Sequence, residues 1–167
     1  TFAKYGLSAD VIQPATTYNG DLGKLMSHNS LQAIDLESGK LLWEDPPNST
    51  DPKARVPELE DSYFLGAPLP LNGKLYILNE KDQELRLLCL EAATGKLAAK
   101  YKLGDLREKI TTEVARRYNA AHLAYGEGIL VCPTNSGGIL GVDLLTNRLE
   151  WAYGYKDKVA QTPVAQP

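Results

Sequence analysis

The sequence predicts an all-β fold of repeated antiparallel units, and three observations support this. A motif of apolar strand, short polar turn and apolar strand occurs three times. Its turn position recurs at Gly39, Gly95 and Asn147, at spacings of 56 and 52 residues. A second strand–turn–strand motif precedes two of the copies, at 67–78 and 121–132, so each unit has four short strands. Such a unit, repeated about every 50 residues, is typical of a β-propeller blade.

The chain is therefore predicted to hold about three four-stranded antiparallel blades of a larger propeller. Three blades leave two sheet faces unpaired, so we expect a segment of a longer polypeptide or a chain that completes a ring with others. The first residue is Thr1 rather than Met, which is interpreted as a processed or partial product. The predicted blades span about 8–45, 64–102 and 119–154, with the start of a further blade at 158–167.

Each turn needs one residue that tolerates a positive φ angle. Glycine does so because it has no Cβ, and asparagine is a common alternative. An acidic residue precedes each of these positions, and its carboxylate is predicted to accept hydrogen bonds from turn amides, a role that glutamate fits less well than aspartate. These acids are assigned a structural role rather than a catalytic one. The pairs of acid and turn residue are Asp35 and Gly39, Glu91 and Gly95, and Asp143 and Asn147.

Two segments interrupt the blades. The stretch 44–62 contains four prolines and several acids, so it is predicted to be a long irregular connection. The stretch 105–117 carries Leu106, Ile110 and Val114 at four-residue spacing between charged residues. This periodicity predicts one inserted amphipathic helix, which would lie on its own blades, cap a face or meet a partner.

One copy of the turn motif carries a resemblance to a known family. It reads Ala-x-Asp-x-x-Ser-Gly-Lys-x-x-Trp, and its residues are Ala33, Asp35, Ser38, Gly39, Lys40 and Trp43. This pattern resembles the tryptophan-docking motif of pyrroloquinoline-quinone (PQQ) enzyme repeats. Those repeats occur in quinoprotein alcohol dehydrogenases and in the outer-membrane assembly lipoprotein with a propeller fold. The segments 67–78 and 121–133 further resemble large PQQ-like propeller proteins of planctomycete-type bacteria. The resemblance is specific for fold and unspecific for function.

The resemblance implies that the motif tryptophan packs between neighbouring blades. Trp43 and Trp151 occupy that position, and both are expected to be largely buried against an adjacent blade. The middle copy has Ala99 instead, so its contact is expected to be looser, or filled by a neighbour such as Tyr101.

Composition and motifs exclude several classes of function. The net charge is −3 with acids and bases interspersed, which argues against a nucleic-acid surface, and no apolar run is long enough to span a membrane. His28 and His122 are far apart, and neither they nor the cysteines show metal-site spacing. Cys89 and Cys132 are expected to be buried free thiols. Quinoprotein dehydrogenases, as a family, hold PQQ beneath adjacent cysteines, which are lacking here.

No catalytic, cofactor-binding or metal residue is assigned from the sequence. The leading hypothesis is a non-catalytic propeller scaffold of the periplasm or cell envelope, which binds protein partners and further blades of the same or other chains. One alternative is a fragment of a quinoprotein dehydrogenase, which would bind PQQ and calcium. Another is a sensor domain of a larger multidomain protein.

Overall fold

The computed structural model describes residues 2–4, 28–45 and 56–155 of the 167-residue chain. In these ranges the regular structure is twelve β-strands in three antiparallel sheets and one short helix. The first sheet contains β1 (Phe2–Lys4), β2 (Ser30–Ile34) and β3 (Leu41–Asp45). The central sheet contains β4 (Tyr63–Phe64), β5 (Leu69–Leu71), β6 (Lys74–Lys81), β7 (Glu84–Glu91) and β8 (Leu97–Asp105). The third sheet contains β9 (Ala124–Gly126), β10 (Ile129–Pro133), β11 (Gly138–Asp143) and β12 (Arg148–Gly154), and helix α1 spans Val114–Tyr118.

Each sheet is an antiparallel meander in which successive strands are neighbours, except that β4 and β5 both pair with β6. The third sheet has four strands in the order β9, β10, β11 and β12. In the central sheet β7 pairs along the whole of β6, while β4 and β5 pair with opposite ends of β6 on its other edge. They therefore act as one interrupted edge strand. The predicted all-β fold with four-stranded antiparallel blades is confirmed.

At the interruption between β4 and β5, the segment that leads into the third sheet contacts the edge of the central sheet. The amide of Ala121 donates to the carbonyl of Leu65 at 2.7 Å. A Cβ atom on Gly66 would overlap the carbonyl of Ala121, so only glycine permits this close approach of two backbones.

The central sheet is buried on both faces, which explains the nearly continuous apolar runs of β6 and β7. Alternate residues point to opposite sides, so one face packs on the first sheet and the other on the third. Burying one leucine side chain contributes about 1.5–3 kcal/mol, so these two layers dominate the core. The layer toward the first sheet contains Leu31, Leu59, Phe64, Leu75, Ile77, Leu88 and Leu90, with Trp43 and Leu97 partly buried. The layer toward the third sheet contains Tyr63, Leu65, Leu78, Leu85, Leu87, Ile110, Ala121, Leu123, Leu130, Cys132 and Val142. Sheets stacked face to face in chain order are the arrangement of successive propeller blades.

The inserted helix is shorter and later than the sequence predicts. Strand β8 continues to Asp105, turns occupy much of the segment that follows, and helix begins only at Val114. The amide of Ile110 donates to the Glu80 carboxylate at 2.9 Å, and the Thr112 hydroxyl donates to the Lys109 carbonyl at 2.9 Å. A local side-chain bond such as that of Thr112 competes with helix formation, and the bond from Ile110 to Glu80 fixes this segment on the sheet. The apolar spacing therefore reflects the packing of Leu106 and Ile110 on the core rather than a full-length helix.

Several predictions fall outside the described residues. These are most of the first blade before residue 28, the part of the long connection at 46–55, and the further blade at 158–167. Strand β1 lies before the predicted start of the first blade at about residue 8, and pairs with β2.

Candidate functional site

The joints between sheets are built on one recurring turn. The first two turns contain an equivalent backbone hydrogen bond. The amide of Gly39 donates to the Asp35 carbonyl, and the amide of Gly95 donates to the Glu91 carbonyl, both at 2.8 Å. The φ angles at the three turn positions are 68° for Gly39, 71° for Gly95 and 55° for Asn147. All three lie in the left-handed region that the turn requires.

The acids of these turns differ in what they bind. Asp35 accepts hydrogen bonds from the hydroxyl and amide of Ser38, at 2.6 and 2.8 Å, and these bonds lower its pKa. Asp143 accepts the amide of Leu145 at 2.7 Å, which likewise lowers its pKa. Glu91 instead forms an ion pair with Lys74. Its longer side chain therefore supports the neighbouring strand β6 rather than its own turn.

The first joint is made by Trp43 on the turn of the central sheet. Its indole Nε1 donates to the Ala92 carbonyl at 3.0 Å, and a Cβ atom on Gly95 would come within 2.6 Å of the indole Cε3. Gly95 is therefore needed both for its positive φ and for the space that the indole occupies. Ala33 lies opposite Trp43 in the strand pairing.

A buried carboxylate that the sequence did not single out belongs to the same joint. The side chain of Asp45 is 8% exposed, and its Oδ2 atom has no hydrogen-bond partner in the described ranges. That oxygen lies beside the Gly95 turn, because a Cβ atom on Gly95 would also come within 2.6 Å of it. Burial, aided by the charge of Glu44, raises the pKa of Asp45 to about 6. In the sequence, only the alternation of side chains along β3 indicates that Asp45 points inward.

The second joint uses a different pair of residues. Ala99 stands at the tryptophan position, and the hydroxyl of Tyr101, two residues later on the same face, donates to the Asn147 Oδ1 atom at 2.9 Å. A phenol and an amide thus join the central and third sheets where an indole and a glycine join the first and central sheets.

The expected burial of Trp151 against an adjacent blade is wrong for the described residues. Its indole lies over Gly141, its partner across the strands, where any Cβ atom would overlap the ring. The side chain is 40% exposed because, in the part of the chain that the structure covers, no further sheet lies beyond β12. Leu149 and Tyr153 on the same strand are also exposed, at 54% and 64%.

A buried ion pair attaches the segment after β8 to the central sheet. Arg116 and Glu80 are 4% and 2% exposed and form a salt bridge, and the second carboxylate oxygen accepts the amide of Ile110. Burial raises the pKa of Glu80, an effect that the Arg116 charge opposes. Arg116 also donates to the Glu108 carbonyl at 2.5 Å. Both groups therefore hold this segment on the central sheet.

A second polar cluster attaches the 56–62 segment to the opposite face. Arg86 donates to Asn79 Oδ1 at 3.0 Å and to the Glu58 carbonyl at 2.9 Å, and Asn79 donates to the Ser62 hydroxyl at 2.9 Å. Burial lowers the pKa of Arg86. An open cleft of about 350 Å³ adjoins this cluster, and its walls carry both signs of charge. The cleft is lined by Pro57, Glu58, Lys81, Asp82, Glu84, Arg86, Lys100 and Asp105.

Groups that could perform chemistry are scattered. Within 2–4, 28–45 and 56–155, no three histidine, cysteine, aspartate or glutamate side chains are grouped to hold a metal ion. His122 is exposed, and His28 is half-buried. Cys89 and Cys132 are buried free thiols as predicted, and burial raises the pKa of Cys132 to about 12. No helix among the described residues is long and apolar enough to cross a membrane.

The stacked antiparallel sheets and their turn-based joints define a part of a β-propeller. No protein-family model and no curated protein matches the chain. Among solved structures it is similar to BamB from Moraxella catarrhalis, with 19% identity, a TM-score of 0.49, and coverage of 75% of this chain and 34% of that one. It is also similar to the quinohemoprotein alcohol dehydrogenase ADHIIG from Pseudomonas putida HK5, with 20% identity, a TM-score of 0.47, and coverage of 75% and 24%. A europium-containing methanol dehydrogenase gives 14% identity, a TM-score of 0.47, and coverage of 77% and 29%. The chain thus spans about a third or less of each of these structures.

Proposed function

We propose that the chain is a non-catalytic scaffold segment of a propeller, which binds further blades and protein partners through its sheet faces and turns. The observation that carries this proposal is the exposed aromatic face of β12. Trp43 packs on the central sheet, while Trp151, at the same position of the repeat, is 40% exposed and is covered by no further sheet in the ranges that the structure describes. An exposed apolar patch of this kind marks an interaction surface.

The polar groups of the core support the same proposal. Glu80, Arg116 and Arg86 are all buried, and each binds a backbone or side-chain partner that fixes a connecting segment. Groups engaged in this way stabilise the fold by holding the connecting segments on the central sheet. Catalytic sites, by contrast, gather perturbed groups in one accessible cleft.

The cell envelope or periplasm is the proposed location, and a quinoprotein dehydrogenase fragment is the rival function. Both rest on the resemblance of the turn motif to PQQ enzyme repeats. The residues present do not fit a PQQ site of the family type, because Cys89 and Cys132 are not adjacent and lie in different sheets. We assign no residue of this chain to PQQ or calcium.

Equilibrium dialysis of the 167-residue chain against PQQ, with and without calcium, tests the non-catalytic function. We expect no saturable binding under either condition. One PQQ bound per chain would overturn the proposal in favour of the dehydrogenase.

Fluorescence quenching tests the open face. The chain has two tryptophans, so a Trp43→Phe variant leaves Trp151 as the only tryptophan, and excitation at the red edge of its absorption avoids the tyrosines. At low protein concentration we expect acrylamide to quench it strongly, because its indole is solvent-accessible. An emitter protected from quenching would show that the face is already covered.

A further inference from the structure

Two adjacent arginines of helix α1 are both buried, but only one of them has an acidic partner. Arg116 and Arg117 are 4% and 8% exposed. Arg116 forms the salt bridge with Glu80 and also donates to the Glu108 carbonyl. Arg117 forms no ion pair within the described ranges, and its Nε atom has no hydrogen-bond partner there. One buried guanidinium of the pair therefore lacks an anion.

The charges around the helix leave one positive charge over. Residues 106–118 contain four basic and two acidic side chains, and Glu80 adds a third acid from β6, so the surplus is one. Glu113 stands four residues before Arg117, but its backbone is outside the helix, with φ −92° and ψ 76°. Burial raises the pKa of Glu80, and the charge of Glu113 adds to this effect, so Glu113 lies close to Glu80. Arg117 therefore carries the surplus charge.

A buried arginine without an anion lowers the stability of the fold. Taking a guanidinium out of water costs free energy unless an opposite charge and hydrogen bonds offset it, and arginine stays charged at physiological pH. A residue that lowers stability is typical of a functional site. The segment that contains α1 connects β8 to β9, whose sheets are both described, and Arg117 is covered by residues of this chain. Its unmet charge is therefore not a feature of the open outer sheet faces.

The end of helix α1 is fixed and presents an aromatic side chain to solvent. The side-chain amide of Asn135, in the β10–β11 turn, donates to the Asn119 carbonyl at 2.5 Å, so the third sheet holds the end of the helix. Tyr118, next to Arg117, is 46% exposed. Tyrosine and arginine are enriched where proteins bind one another, and they supply much of the binding energy. The surface beside Arg117 is therefore suited to a protein partner.

We propose that Arg117 receives the carboxylate of an acidic side chain from a protein partner, which docks on the end of helix α1. This inference rests on the proposed scaffold function and names the chemistry of the partner. A carboxylate accepts two parallel hydrogen bonds from a guanidinium. Its single negative charge matches the single surplus charge, whereas a phosphate dianion would bring a second negative charge without a partner. The exposed ring of Tyr118 would pack on the partner beside this ion pair.

Urea unfolding of Arg117→Met, with Arg116→Met as the matched control, tests whether the charge of Arg117 is unmet. Methionine keeps much of the length of the side chain and removes the charge. In the 167-residue chain without a partner, we expect Arg117→Met to unfold at the wild-type urea midpoint or above it. Arg116→Met should unfold at a lower midpoint, because Glu80 loses its partner. A midpoint for Arg117→Met below that of wild type would show that Arg117 supports the fold, and would overturn the proposal.

Nuclear magnetic resonance of the arginine Nε–H groups tests the ligand. The wild-type chain is titrated with a peptide of alternating glutamate and glycine, with the same peptide carrying glutamine for glutamate, and with inorganic phosphate. We expect a saturable shift of the Arg117 signal with the glutamate peptide alone, while the Arg116 signal stays unchanged.

Three results would overturn the proposal. They are an Arg117 signal that the glutamate peptide does not shift, an equal shift with the glutamine peptide, and tighter binding of phosphate than of the glutamate peptide. The last result would indicate a site for a free anion instead of a protein partner. PQQ dialysis is a separate readout, so failure of the Arg117 site and failure of the non-catalytic function are distinguishable.

Discussion

Replacing Asp45 by asparagine should remove a pH-dependent loss of stability. The folded chain raises the pKa of this carboxyl from 3.8 to about 6, so the folded state holds the proton more tightly than the unfolded state. Stability is therefore greatest below the unfolded pKa, falls as the pH rises from about 4 to about 6, and is level above that window. At about 1.4 kcal/mol per pKa unit the full shift corresponds to about 3 kcal/mol, and partial water access reduces this to about 1–3 kcal/mol.

Urea unfolding of wild type and Asp45→Asn at a series of pH values measures this contribution. We expect the difference in unfolding free energy to change by about 1–3 kcal/mol across the window, with the variant the more stable above pH 6. Asp143→Asn is a control of opposite sign, because turn hydrogen bonds lower the pKa of Asp143 and its contribution is lost as the pH falls. Parallel profiles for wild type and Asp45→Asn would refute the reasoning.

The remaining predictions concern the joints and the buried ion pair. Gly95→Ala should cost about 2–4 kcal/mol in a thermal melt, because the new Cβ meets the indole and a carboxylate; Gly39→Ala, with only backbone strain, should cost about 1 kcal/mol. Arg116→Met should cost about 3–5 kcal/mol by leaving the Glu80 charge buried, and adding Glu80→Leu should recover most of it in urea titrations. Tyr101→Phe should lower the unfolding free energy by about 0.5–1.5 kcal/mol in the same assay. An unchanged unfolding free energy would show that this hydrogen bond does not stabilise the contact between the central and third sheets.

The repeat made the blades predictable, because the period of the turns and the alternation of the strands depend on local residues. Gly39, Gly95 and Asn147 have positive φ angles because all three turns have the same geometry, which requires a positive φ at this position. Ala99 is too small to make the contact of the motif tryptophan, and Tyr101 makes a contact at the second joint instead. This was also predictable from the sequence, since both side chains share one face of β8.

Features that depend on distant partners were not predictable. The pairing of Glu80 with Arg116 joins residues 36 positions apart, and nothing local marks either of them as buried. The spacing of Leu106 and Ile110 suggested a helix because burial on a sheet and burial on a helix face use the same apolar residues. The exposure of Trp151 depends on what covers its sheet, which the motif alone does not contain.

The difference between the two joints affects which of the similar sheets can pack together during folding. In chains of similar units, pairing with the wrong unit is a characteristic error. Gly95 has no side-chain amide to accept a hydrogen bond from a phenol, and Asn147 carries a side chain at the position where Gly95 leaves room for an indole. The two turns therefore present different surfaces to the preceding sheet. Ala99 and Asn147, where the chain departs from the repeat, thus make the second joint chemically different from the first, and this difference would disfavour an exchanged order of the sheets.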